Sequence, residues 1–108
     1  MNRDAAMDRL ADILVAIVRG LVDDEAGVSV RVEEGEGHTR LRVMVAPKDF
    51  GKVLGRGGRT VASIRSILNA VGIKFRLPTC VNAEGEYHVC AHVYVEDPNP
   101  DRRGRGKF

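Results

Sequence analysis

Tryptophan is absent from the 108-residue chain, and its other rings, apart from histidine, are two tyrosines and three phenylalanines. That leaves little surface for stacking against a flat ligand. Cysteine is nearly as scarce. Cys80 and Cys90 are the pair, too few for a disulfide-built scaffold, and in a chain with no sign of export they are expected as reduced thiols. No apolar run approaches the roughly 18 residues that cross a bilayer. The N-terminal stretch carries Asp4, Asp8 and Asp12 where a signal peptide would be basic, so a cytoplasmic protein with no membrane contact is expected.

Acidic residues are nearly missing from one region. Between Lys48 and Arg76 there are seven Lys and Arg against the single carboxylate of Asp49, a net +6. Met1–Pro47 and Leu77–Glu96 each carry −3, and Asp97–Phe108 carries +2, so the formal charge of +2 conceals the asymmetry. A basic block and a basic tail point to a polyanionic partner, although a solvated basic face would look the same on charge alone. With 44% apolar and 30% charged residues, the chain otherwise reads as one ordinary globular domain with one modest core.

Periodicity outlines the elements. Met7, Leu10, Leu14, Ile17, Val18 and Leu21 recur at helical spacing, predicting a helix over roughly Asp4–Val22 with Asn2 or Asp4 as N-cap. Val28, Val30 and Val32 alternate with polar residues, "EGEGH" turns the chain, and Leu41, Val43 and Val45 alternate with Arg40, Arg42 and Met44, which together predict a hairpin. Pro47 suits the first turn of a short helix with Phe50, Val53 and Leu54 on its apolar face. Val61, Ile64, Leu68 and Val71 mark a third helix, closed by Gly72. A third strand places Val89, Ala91, Val93 and Val95 on one face and His88, Cys90, His92 and Tyr94 on the other. Residues 73–87 read as a long loop or small hairpin. The tail from Asp97 has too little apolar surface to offset its ordering entropy and is expected to be disordered. The order predicts an α+β fold with three helices on one face of a three-stranded mixed sheet.

Between the second and third helices lies "GKVLGRGGRTVASIR", beginning at Gly51. A Walker A loop would end in Gly-Lys-Ser/Thr, and here the glycines run into Arg59-Thr60. A dinucleotide loop would follow a strand and carry a third glycine where Thr60 stands. Gly55 and Gly58 permit close backbone approach, the following helix presents unsatisfied N–H groups, and Arg56 and Arg59 add guanidinium forks matched to phosphate. A sharp corner between helices would need only one or two glycines and would leave the clustered arginines unexplained.

Gly55-Arg56-Gly57-Gly58 resembles the GXXG loop of a KH domain, which clamps about four nucleotides of single-stranded nucleic acid. The element order resembles the type II KH fold, and "APKDFGKVLGRGGRTVASIR" is similar to the small single-KH bacterial RNA-binding proteins, the KhpA-like family. The resemblance implies a type II KH domain over residues 1–96, with 73–87 as its variable loop, followed by the 97–108 tail. It implies single-stranded RNA as the partner, held with low sequence specificity in an RNA chaperone or post-transcriptional regulator, with cell-shape control among the processes such proteins serve. By position, Lys52, Arg56 and Arg59 would contact phosphate, and Gly55, Gly57 and Gly58 would allow the approach. Val53, Leu54 and Ile64 would form an apolar floor, Leu54 and Ile64 being equally readable as plain core. Arg65 would reach the backbone or be solvated. The alternative the resemblance offers is a protein-interaction module, pairing with itself as a dimer or with a larger Jag-like KH protein, in which RNA contact is secondary.

Other constellations carry less. His88, Cys90 and His92 share a strand face, but same-face neighbours are nearly 7 Å apart and cannot all converge on one ion, so no metal or other cofactor is expected. No serine, cysteine or carboxylate stands in a recognisable catalytic motif, so the chain is not expected to be an enzyme. Arg102, Arg103, Arg105 and Lys107 of the tail would add long-range attraction to RNA or simply solubilise the end.

Overall fold

The computed structural model describes residues 1–35, 38–81, 84–85 and 87–99. Helix α1 spans Arg3–Arg19, strands β1 and β2 span Ser29–Gly35 and His38–Met44, helices α2 and α3 span Phe50–Leu54 and Arg59–Lys74, and strands β3, β4 and β5 span Thr79–Val81, Tyr87–Val89 and Ala91–Val95. The larger sheet has the order β1-β2-β5, with β1 antiparallel and β5 parallel to β2. It is the mixed three-stranded sheet of the α+β expectation, with three helices packed on it. A second, two-stranded sheet pairs β3 with β4.

Alternation and helical spacing place the core where the two layers meet. Leu10, Leu14 and Val18 of α1, Leu41 and Val43 of β2, Val61, Ile64 and Leu68 of α3, and Val93 and Val95 of β5 are all buried in one cluster. Asn2 caps α1, its Oδ1 accepting the Ala5 N–H at 2.8 Å. The helix ends at Arg19, three residues before the expected Val22, while Gly20 and Leu21 continue as a turn and Val22 stays buried. The β1–β2 register runs from Ser29↔Met44 to Gly35↔His38, as a hairpin requires; part of the expected turn between them lies outside the described residues. No helix among the described residues is long and apolar enough to cross a membrane.

Four expectations change after α3. First, Gly72 does not close the helix, which continues to Lys74; the left-handed position falls to Arg76, with φ 60°. Gly72 is instead buried where α3 meets β4, and a β-carbon there would lie 2.9 Å from both methyls of Val89. Its missing side chain serves packing rather than termination. Second, the last alternating run is two strands. The chain leaves the small sheet at Val89, passes through Cys90 and joins β2 at Ala91, with the Cys90 carbonyl accepting the Thr39 N–H at 2.9 Å. Third, the 73–87 segment begins with the last residues of α3 and goes on to form the β3–β4 hairpin, so its second reading, a small hairpin, describes it better. Fourth, Cys80 and Cys90 are joined in a disulfide, with their Cα atoms 5.7 Å apart. The expectation of free thiols rested on compartment; the hairpin brings Cys80 beside the residue that follows β4, within bridging distance. At the other end Asp97 is buried and accepts the Asn99 N–H at 2.8 Å, and the rest of the tail lies outside the described residues.

The close fit at Gly72 is testable. Gly72→Val forces the α3–β4 contact apart and is expected to cost about 1–3 kcal/mol, the usual range for overpacking. Gly72→Ala should cost less, since the helix-propensity gain of about 1 kcal/mol offsets part of the strain. Urea denaturation of the two variants beside the parent chain checks the ranking.

Candidate nucleic-acid interface

The loop between α2 and α3 is built from backbone. Gly55 ends α2 with φ 75° and ψ 171°, a conformation open essentially to glycine alone, and its N–H donates to the Gly51 carbonyl at 2.9 Å. A β-carbon on Gly55 would sit 2.8 Å from the Thr60 backbone nitrogen and would overlap the Thr60 side chain. The first turn of α3 therefore lies directly against Gly55. Gly57 and Gly58 also take positive φ, 62° and 76°, but a β-carbon on either would meet nothing within 4 Å. These two glycines leave an open approach, and α3 behind them has no side-chain cap. The Gly58 N–H donates to the Gly55 carbonyl at 3.1 Å and the Arg59 N–H to the Arg56 carbonyl, so the turn caps itself with backbone and sets the positive end of a 16-residue helix dipole behind the opening.

Arg56 and Arg59 flank that opening, exposed and without an ion pair among the described residues. The other expected cations, Lys52 and Arg65, both at the surface, are engaged by groups of the chain itself. Lys52 Nζ donates to Asp23 and to Asp49 Oδ1, the latter at 3.2 Å, and these bonds raise its pKa above the ordinary lysine value against the opposing effect of desolvation. Arg65 lies along α3 with Nε and Nη2 on the Val93 carbonyl at 3.2 and 3.1 Å, fastening the helix to β5; desolvation lowers its pKa. Val53 and Ile64 are fully buried and carry the floor from beneath, whereas Leu54 is only partly covered.

Three positioning residues escaped the sequence reading. Asp49, fully buried, accepts the Asp23 N–H at 3.2 Å and the Asp24 N–H at 3.0 Å, tying the chain after α1 to the start of α2. Its being the lone carboxylate in a +6 block was the available signal. Asn69 accepts the Val89 N–H at 2.7 Å and, with Arg65, stitches α3 along β4 and β5. Thr60, read only as a residue that excludes a dinucleotide loop, is the surface on which Gly55 rests. The histidine–cysteine face offers no thiolate, because Cys90 is bridged to Cys80.

Residues 11–77 match the sequence model of the KhpA/KhpB KH domain. Among curated proteins, the RNA-binding protein KhpA of Borreliella burgdorferi is 41% identical over 63 residues, 58% of this chain and 77% of its own length. The RNA-binding protein KhpA of Aquifex aeolicus is 38% identical over 68 residues, covering 63% of this chain and 86% of that protein. The protein of the same name in Streptomyces coelicolor is 38% identical over 63 residues, 58% of this chain and 80% of its own. No solved structure gives a significant match.

The buried Asp49 makes stability depend on pH in a definite sense. Burial by itself raises its pKa, but the Asp24 and Asp23 N–H groups and the Lys52 ammonium outweigh burial, so the carboxylate stays ionised to lower pH than usual. A carboxylate with a depressed folded-state pKa stabilises above its unfolded pKa, and that contribution disappears as pH falls through the folded value. Asp49→Ala is therefore expected to be clearly less stable than the parent at pH 7, with the gap narrowing below the ordinary carboxylate range. Denaturant midpoints of both proteins at pH 7 and pH 3 measure the difference.

Proposed function

Because the chain belongs to the KhpA/KhpB KH-domain family, we propose that it binds single-stranded RNA, holding the phosphate backbone at the Gly55–Gly58 loop without catalysing a reaction. The observation that carries this reading is the N-terminus of α3 behind two open glycines, between two unpaired arginines. The helix dipole and guanidinium forks both suit a phosphate oxygen, and both lie at the same opening. The placement of α1 and β1 ahead of the β2–α2–α3–β5 core supports a type II KH arrangement. The β3–β4 hairpin takes the place of the variable loop.

Of the residues expected at the interface, Arg56 and Arg59 are the phosphate ligands in this reading, Gly57 and Gly58 admit the strand, and Gly55 sets the loop. Leu54 offers the exposed part of the floor. Val53 and Ile64 support it, Lys52 holds α2 to the Asp23 turn and Arg65 holds α3 to β5. Backbone contacts position a strand without reading its sequence, and with few rings for stacking the specificity is low. This suits a cytoplasmic RNA chaperone or post-transcriptional regulator.

A second reading, self-association or pairing with a larger KH protein, is favoured by Ile67 and Ile73, which α3 leaves 52% and 55% exposed. Light scattering after nuclease treatment separates the two. A dimer that persists without RNA and is lost in Ile67→Lys establishes a protein interface, and a monomer rules it out.

Gly57→Asp with Gly58→Asp tests the RNA reading. Neither new side chain meets a steric obstacle, and although the left-handed positions cost about 1–2 kcal/mol each, Asp is among the residues that tolerate them best, so the fold is expected to persist by circular dichroism at reduced stability. Two carboxylates at the phosphate position should lower RNA affinity at least tenfold at moderate salt, since a hydrogen bond to a charged group is worth about 1.5–3 kcal/mol. A tetranucleotide held by Arg56 and Arg59 should show a log K against log salt slope of about −1.4, at about −0.7 per phosphate. Unchanged affinity in the folded double variant would falsify the loop assignment.

A further inference from the structure

At the opposite end of α3 from the glycine loop, Asn2, Arg3, Lys74, Phe75, Arg76 and Pro78 line an open cleft of about 520 Å³. Arg9 approaches the same corner, its guanidinium carbon 5.9 Å from the centre of the Phe75 ring. Four cationic side chains thus gather where α1 begins and α3 ends. Arg3 is paired with Glu34 at 3.3 Å, but among the described residues Arg9, Lys74 and Arg76 have no ion-pair partner. Among the described residues none of the acids of α1 forms an ion pair with them. At about 100° per residue, Asp4 and Asp8 project roughly 140° and 100° away from Arg9, and Asp12, about 60° from it, lies a turn farther from the cleft.

The backbone supplies a second observation. The Leu77 N–H donates to the Gly72 carbonyl and the Arg76 N–H to the Ile73 carbonyl, both at 3.0 Å, so α3 ends in the Schellman pattern with Arg76 in its left-handed position. Glycine fits that position without strain, and Arg76 is the one residue other than glycine with positive φ among those described. A long cation thus stands where glycine would be more stable, beside Lys74 and on the lip of the cleft.

We propose that this cleft is a second phosphate-binding site for the RNA backbone, engaged by strands too long to be held at the glycine loop alone. The proposal rests on the RNA-binding reading above. The two sites lie at opposite ends of a 16-residue helix, about 24 Å apart at 1.5 Å per residue. A strand confined to the roughly four nucleotides of a GXXG loop fills one site, and a longer one reaches both.

Fluorescence anisotropy with oligouridine of about 4 and 16 nucleotides, the first matching the loop's capacity and the second exceeding it, tests the proposal. In Lys74→Ala with Arg76→Gly, affinity for the longer probe is expected to fall severalfold. Its salt slope should become shallower by about 1.4, because two phosphates are no longer neutralised, at about 0.7 each. Binding of the short probe should not change. The melting temperature should hold or rise, because glycine relieves the left-handed strain, and Arg76→Lys should retain most of the long-probe affinity. Long-probe affinity and salt slope that match the parent overturn the cleft proposal while leaving the loop reading intact. Loss of long-probe binding through Gly57→Asp with Gly58→Asp, but not through the cleft variant, has the same meaning. A parent chain that binds neither probe overturns both.

Discussion

Gly55 can rest against Thr60 because it has no side chain, and that contact sets the angle at which α2 hands the chain to α3. With any other residue at Gly55 the two helices would have to separate, and the open glycines and helix end would no longer lie together. The rest of the domain holds this corner still. Asp49 binds the start of α2 to the turn after α1, Arg65 and Asn69 bind α3 to the last strands, and buried Val53 and Ile64 fill the space beneath. The proposed phosphate-facing surface is therefore mostly backbone on a packed support, the arrangement that makes dipoles effective without reorganisation.

The basic block divides its charges between two tasks. Lys52 and Arg65 are committed to carboxylates and a strand carbonyl, whereas Arg56 and Arg59 at one end of α3 and Lys74 and Arg76 at the other have no internal ion pair among the described residues. A net charge summed over the sequence cannot make that division. It depends on which carboxylates the fold brings within reach, and Asp23, one partner of Lys52, lies 29 residues earlier.

Local periodicity made most of the fold legible. The α1 face, the β1–β2 alternation and the apolar spacing of α3 depend only on neighbours along the chain, and the glycine loop was recognisable because its residue types have few other uses together. What stayed hidden depended on distant contacts. The alternation of Val89, Ala91, Val93 and Val95 continues unbroken through Cys90, so nothing local shows that the strand changes sheets there. Gly72 looked like a helix stop because glycine commonly is one, but the helix runs on to Lys74 and the left-handed position beyond it falls to Arg76, a poor residue for that conformation. Lys52, a good candidate ligand by position, is absorbed by two acids that sequence proximity only half reveals.

The central claim is that the glycine loop at the start of α3 receives phosphate. Titrating ¹⁵N-labelled protein with a short single-stranded RNA and following backbone amide shifts addresses it directly. The account predicts that the largest changes fall on Gly57, Gly58, Arg59 and Thr60. Shifts confined to the exposed stretch of α3 around Ile67 and Ile73, with the loop amides unmoved at saturation, would contradict it.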